Sequence, residues 1–357
     1  MIQQLIIYGA KSIALGVCLA VQKLYPQYPV KGFLVKSLQN NPDMLGGLPV
    51  WELNLMKDKT ACILIATPED THSEIIHDLE QFGFWRYICI DSRKEARLME
   101  AYFTGTDRFP SIHRMKKGTI SSQICVYMAK FYKDRALKNT YDLPDWIHPI
   151  SAGAAFSAKN QISIRDDSGD NISGKNGNYC ELTVLYWMWR NRLKDFCPGS
   201  EKADYFGLLH YRRILDISED DVLRFQENDI DVILPYPTIH EPDIYEHHTR
   251  YLPESDWNAM LDALAELHPE YASAFPKILS QPYFYNYNIF IAKSSVLEAY
   301  CSWLFPVLER TEQLSIPKGW ERSDRYIGYL GENLLTLYFM YHDRDLNIAH
   351  TGRYMLI

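Results

Sequence analysis

The twelve residues Arg165-Asp166-Asp167-Ser168-Gly169-Asp170-Asn171-Ile172-Ser173-Gly174-Lys175-Asn176 carry three carboxylates, two glycines, two amides and a lysine. A tight loop of this composition offers acidic side chains to a metal or a sugar. It also offers backbone N–H groups to a phosphate at a helix entrance. Carboxylates beside phosphate donors suit a charged nucleotide-sugar, whose diphosphate a divalent cation such as Mg or Mn neutralises. The candidate ligand-binding residues here are Asp166, Asp167, Asp170, Asn171, Ser173, Lys175 and Asn176. An ordinary Asp/Gly/Asn turn has the same composition, so the loop alone does not decide between the two.

Three further stretches could do chemistry. In Asp204-Tyr205-Phe206-Gly207-Leu208-Leu209-His210-Tyr211-Arg212-Arg213 an apolar strand runs into an imidazole, a phenol and two guanidinium groups. Open α/β sheets bind ligands beyond the carboxyl ends of their strands. His210 is therefore placed to ligate a metal or bond a sugar, and Arg212 and Arg213 to clamp a diphosphate, with Tyr211 beside them. The run Tyr283 to Ile291 sets Tyr285, Asn286 and Asn288 before a strand, which suits stacking and hydrogen bonding to a sugar ring. In Asp324 to Asn333, Glu332 enters an apolar helix, where a carboxylate can serve as general base or simply answer the helix dipole.

The elements that must hold these residues divide at a linker. Residues 1 to 115 alternate strands (4–8, 30–35, 61–66, 87–90) with helices (9–23, 71–82), the pattern of a Rossmann-like parallel α/β domain. Its first turn, Gly9-Ala10-Lys11, puts lysine where a second glycine would admit a pyrophosphate. The second strand ends at Lys36, with no acid for a ribose hydroxyl. No NAD binding is expected. The loop Ala66-Thr67-Pro68…His72 nonetheless resembles one found in nicotinamide-binding sugar oxidoreductases. Arg108 to Thr119 reads as the linker. Residues 120 to 357 then read as a second α/β domain. Its strands are expected at 123–127, 161–164, 205–209, 231–234 and 288–292. A buried helix should follow the acidic loop, with Asn178 and Glu181 as a near capping box.

The composition excludes some classes. At 357 residues two domains are the natural prior, and 47% hydrophobic residues argue for a packed core over disorder. A net charge of -8, with no long basic block, argues against nucleic acid as a partner. The seven cysteines are widely spaced and three lie in apolar strand-like runs, which suggests reduced core thiols. No leader and no run of transmembrane length stands out, so a cytoplasmic protein is expected. Its only membrane contact would be peripheral, at the inner face of the plasma membrane.

Taken together, Asp-Asn-Ile-Ser…Tyr-Cys-Glu-Leu-Thr…Tyr-Trp…Trp from Asp170, the Gly-Leu-Leu-His-Tyr-Arg-Arg strand end and the late Gly331-Glu332 helix resemble a bacterial capsular-polysaccharide glycosyltransferase family. That family was long catalogued as a domain of unknown function. It is GT-A-like, and some members are linked to galactofuranose transfer. The resemblance covers about residues 120 to 357. It implies that Asp166, Asp167, Asp170 and Asn171 line a donor site. His210-Tyr211-Arg212 would stand where many GT-A enzymes carry a metal-binding Asp-x-Asp, and Glu332 would face the acceptor. Two positions depart from the pattern. The first strand ends in Ala129-Lys130 rather than His-Lys, and no Asp-x-Asp is present, so metal use stays open.

The resulting expectation is a hexosyltransferase. It would move a sugar from a UDP-sugar, UDP-galactofuranose among them, to a lipid-linked or oligosaccharide acceptor in capsular or surface glycan synthesis. Asp167 or Glu332 would act as base, and Asp167 and His210 as ligands of any metal. Donor contacts would come from Asp166, Asp170, Asn171, Ser173, Lys175, Asn176, His210, Tyr211 and Arg212. Acceptor contacts would come from Tyr285, Asn286 and Asn288. The rivals are a sugar-nucleotide oxidoreductase working through the N-terminal unit and a glycan-binding protein without catalysis.

Overall fold

A computed structural model describes residues 4–104, 108–157, 162–193 and 203–357. The mixed α/β fold expected from the sequence is the fold observed, built on two main sheets. The first contains β1 (Leu5–Tyr8), β2 (Val30–Val35), β3 (Met44–Leu45), β4 (Leu48–Glu52), β5 (Cys62–Ile65) and β6 (Tyr87–Cys89), in the order β3-β4-β2-β1-β5-β6. All neighbours are parallel except the β3–β4 hairpin. Strands β1 and β5 are apolar throughout and wholly buried, as strands of a covered parallel sheet must be. Helices α1 (Ser12–Leu24), α2 (His72–Gln81) and α3 (Ser92–Phe103) pack around them. Asp91 caps α3, its side chain accepting from Lys94 N. The β3–β4 hairpin and α3 have no counterpart in the pattern read from sequence.

The second sheet holds β7 (Ile124–Phe131), β8 (Ile147–Ala152), β9 (Tyr205–His210), β10 (Arg213–Leu215), β11 (Val232–Pro235), β14 (Phe290–Lys293), β15 (Ile348–Thr351) and β16 (Arg353–Met355). A separate two-stranded ribbon pairs β12 (Thr238–Ile239) with β13 (Tyr283–Phe284). Strands β8, β7 and β9 run parallel, so their carboxyl ends share one edge. Strand β14 runs antiparallel between β9 and β11, and β11 pairs with β15 in parallel. Helices α4 (Asn176–Tyr179), α5 (Leu182–Asn191), α6 (Glu219–Glu227), α7 (Ile244–His248), α8 (Glu254–Leu267), α9 (Pro269–Leu279), α10 (Ser294–Leu314) and α11 (Tyr326–Tyr341) complete the unit. Ser218 and Asp221 form the capping box of α6. One buried apolar cluster includes residues of both sheets, from Leu5 to Ile348.

Three expectations are corrected. Of the strand expected at 161–164, residue 161 lies outside the described residues and 162–164 form no strand; Arg165 makes only an isolated bridge to Ser151. The expected 178–181 cap is absent, because Cys180 adopts a φ of 51° and breaks the helix into α4 and α5. The Asn178 amide instead donates to Gly319 O and Arg322 O. Cys125 is disulfide-bonded, so the reduced-thiol reading fails there, whereas Cys18, Cys89, Cys180 and Cys301 are free thiols. Separation along the chain does not reveal which sulfurs the fold brings within bonding distance. Among the described residues, no helix is long and apolar enough to cross a membrane.

Gly207, in the middle of β9, lies where a Cβ would stand 2.7 Å from Phe290 O and 2.8 Å from Ile291 Cγ1. Gly207→Ala is therefore expected to destabilise the protein by about 1–3 kcal/mol, the usual cost of overpacking. A lower urea midpoint with an unchanged slope would show it.

Candidate functional site

An open cleft of about 510 Å³ lies at the shared carboxyl edge of β7, β8 and β9. Ala129 and Phe131 of β7, Ala152 of β8 and the turn His210-Tyr211-Arg212-Arg213 line one side. Asn176, Gly177, Cys180 and Glu181 of the α4–α5 junction, with Ser323 and Arg325 before α11, line the other. Close approach of these segments depends on glycine. A Cβ at Gly177 would fall 2.0 Å from Ser323 Oγ, and one at Gly331 2.7 Å from Leu182 Cδ1.

Glu181 stands at the centre. Asn288 Nδ2 donates to its carboxylate at 2.7 Å, and His210 Nε2 lies 3.5 Å away, at the outer limit of a hydrogen bond. That His210 nitrogen and Asn288 Oδ1 are buried with no hydrogen-bond partner, two orphaned polar atoms beside one carboxylate. Burial alone would raise the Glu181 carboxyl. The neighbouring His210 ring and the hydrogen bond from Asn288 outweigh it and hold the group below the usual carboxylate range. Glu332, on α11, behaves oppositely. Burial and the Glu181 charge push it up to about 8, against the pull of a backbone hydrogen bond, Arg213 and Arg325. Two carboxyl groups are thus driven apart, one ionised and one protonated at neutral pH. Beside them burial pushes the Cys180 thiol up to about 12, and Arg325 Nε lies 3.3 Å from its sulfur.

The acidic loop sits differently from its place in the sequence reading. Asp166 is fully buried and accepts from Gly153 N at 2.8 Å, Ala154 N at 2.9 Å, Ser173 Oγ at 2.5 Å and Thr183 Oγ1 at 2.7 Å. Ser173 is likewise buried. Asp167 is held by Arg165 at 2.6 Å, which lowers its carboxyl through that hydrogen bond despite some desolvation. Asp170 pairs with Arg190 at 2.6 Å, and Asn171 bonds within its own turn. Lys175 pairs at 2.5 Å with the buried Glu312. Of the residues proposed in this loop only Asn176 lines the cleft, where it joins His210, Tyr211 and Arg212. Tyr285 is buried away from the cleft, its hydroxyl 2.8 Å from His350 Nε2, while Asn288 reaches Glu181. Asn286 keeps an unpartnered buried oxygen. Glu181 was missed because its spacing from Asn178 imitates a helix cap.

A divalent cation fits this donor set poorly. Asp167 is committed to Arg165. Among the described residues, no three His, Cys, Asp or Glu side chains gather as a ligand set. The cations facing the cleft are those of Lys133, Arg212, Arg213 and Arg325. At the carboxyl edge of the first sheet, Thr67, Pro68, Glu69 and Ser92 meet Arg213, Tyr287 and Arg353, leaving a space of about 40 Å³. Small-molecule pockets start at roughly 300 Å³.

A family model described as a domain of unknown function, DUF4422, matches residues 136–343, more than half of the chain. The chain belongs to the DUF4422 family. Among solved structures, this DUF4422 protein is similar to the apo structure of the bifunctional glycosyltransferase WbbM. The TM-score is 0.54 at 26% identity, over 66% of this chain and 45% of that one. The match thus spans less than half of WbbM, and over it the fold is similar to that of a glycosyltransferase. None of the curated proteins matches this chain.

Two outcomes follow from the geometry. Asp166→Asn should lose about 2–4 kcal/mol, because an amide turned toward four donors leaves some unsatisfied in the interior; chemical denaturation measures it. Glu332 holds its proton in the folded state up to about 8, against 4.5 for the free side chain. Between those values the unfolded chain binds fewer protons than the folded one, so stability falls as pH rises through the window. Glu181 is lowered, so its contribution is lost only at more acid pH. The wild-type melting temperature should therefore drop from about pH 5 to about pH 8.5 relative to Glu332→Gln, whose neutral amide cannot ionise. Parallel melting profiles would show that Glu332 does not carry the proton.

Proposed function

We propose that this protein is a glycosyltransferase that moves a sugar from a UDP-sugar, UDP-galactofuranose being the first to try, onto a hydroxyl of a capsular or surface glycan intermediate. The observation that carries the reading is the cleft itself. It sits beyond the carboxyl ends of three parallel strands and is lined by the carboxyl groups of Glu181 and Asp134, an orphaned imidazole nitrogen and several guanidinium groups. The similarity to WbbM supports the same class of reaction.

In this reading Arg212 and Arg325 face the donor diphosphate and offset the charge that develops on it as the glycosidic bond breaks. Guanidinium groups take the part that a cation plays elsewhere. Glu181 accepts the proton of the acceptor hydroxyl as it attacks the anomeric carbon. The Asn288 amide fixes the carboxylate's orientation, with the His210 ring beside it. Glu332, protonated at neutral pH, keeps a second negative charge away from the same spot until the pH approaches about 8. Asp167, engaged by Arg165, is the weaker candidate for base.

Release of UDP from a panel of UDP-sugars, with and without Mg or Mn, tests the activity. Glu181→Gln should retain donor binding and cut turnover by at least about a hundredfold, the scale of general-base catalysis. A variant with wild-type turnover would remove Glu181 from the chemistry. A wild-type protein that releases no nucleotide from any donor and acceptor pair would overturn the transferase reading.

A further inference from the structure

The loop Ala66-Thr67-Pro68-Glu69-Asp70-Thr71-His72 leaves β5 at the edge where a parallel sheet ordinarily meets its ligand. Here it is braced from within. His72 Nε2 lies 3.0 Å from Thr67 O, Thr67 Oγ1 lies 2.9 Å from Thr71 Oγ1, and Thr71 N donates to Pro68 O at 2.9 Å. Glu69 ties the loop to the start of α3, accepting from Ser92 N at 3.0 Å and Ser92 Oγ at 2.9 Å. Asp70 reaches out of this frame to the second sheet. Its Oδ2 lies 3.1 Å from Arg212 Nη2, with the two side chains 23% and 17% exposed.

Arg212 lines the cleft. Its backbone oxygen accepts from Leu356 N at 2.8 Å, so the chain beneath it is fixed as well. A guanidinium group carries five N–H donors in a rigid plane, and a bond from one nitrogen leaves the others available. An arginine already held in one rotamer gives up less freedom when it binds an anion than one that must be ordered on binding. We propose that Asp70 is a positioning residue. Carried on a loop of the first unit, it holds Arg212 so that its remaining N–H groups meet the diphosphate of the donor. This inference rests on the transferase reading of the cleft. It gives the Thr67–His72 loop a task other than contact with a nicotinamide.

The test uses the full-length protein and steady-state UDP release. Asp70→Asn should raise the donor KM roughly tenfold with kcat nearly unchanged, the scale of one charge-assisted hydrogen bond. Asp70→Glu, which restores the charge, should recover most of the loss. In an Arg212→Ala background Asp70→Asn should add nothing further. A structural role alone would lower the melting temperature and leave these kinetic differences absent. If Asp70→Asn does not fold, the comparison of Asp70→Glu and Asp70→Ser carries the same prediction. Unchanged donor KM, or additive effects in the double variant, would overturn the inference while leaving the transferase reading intact. Absence of UDP release by the wild type would overturn both.

Discussion

The buried carboxylate of Asp166 is the point on which the geometry of the cleft depends. Its two oxygens take two backbone N–H groups from the turn after β8 and two hydroxyls, one from Ser173 and one from Thr183 of α5. A carboxylate so surrounded is satisfied without a cation. The turn can face it only because Gly153 takes a left-handed φ of 60°, and a Cβ there would stand 2.7 Å from Asn176. The end of β8, the loop before α4 and the first turn of α5 are thus locked together. Glu181, one residue before α5, inherits its position from that lock.

From this follows the unlike behaviour of two carboxyl groups that share one neighbourhood. The chain reverses at Cys180, whose φ of 51° turns Glu181 out of a continuing helix and toward His210. Helix α11 comes close enough to complete the site because Gly328 and Gly331 present no side chain to Cys180 and Leu182. Glu181 has the Asn288 hydrogen bond and the His210 ring beside it and keeps its charge. Glu332, with burial and a like charge against it, keeps its proton. Environment rather than residue type sets the protonation of each carboxyl group.

How far the sequence could be read is a matter of which constraints are local. Leu5–Tyr8 is a continuous apolar run, and Val30–Val35 and Tyr205–His210 are largely apolar with breaks at Lys31-Gly32 and Gly207; all three are strands as read. From β9 it was a short step to His210 and Arg212, because residues after a parallel strand face its ligand edge. Strand β8 escaped because Ile147-His148-Pro149-Ile150 breaks the pattern. A proline is tolerated there since β8 pairs only with β7, at the sheet edge. The acidic loop was legible as unusual but not as interior. Nothing in Asp166-Asp167 says that the first acid is enclosed by four donors while the second meets Arg165. Glu181 was hidden by the opposite error. Its spacing had a local explanation as a cap, and only the tertiary approach of Asn288 and His210 gives it another.

The relation of the two sheets follows from the same accounting of charge. The second unit concentrates arginines near one edge: Arg212 and Arg213 after β9, Arg325 before α11 and Arg353 on β16. Like charges so grouped repel unless acids or aromatic faces meet them. Tyr287 takes two of them, with Arg213 at 4.1 Å and Arg353 at 5.3 Å from its ring. The first unit supplies the acids, with Asp70 on Arg212 and Glu95 on Arg353. Both acids stand near the edge at which a parallel α/β sheet ordinarily meets its ligand. Asp70 is turned to an arginine of the neighbouring cleft and Glu95 to Arg353 beside it, and these pairs join the first sheet to the second.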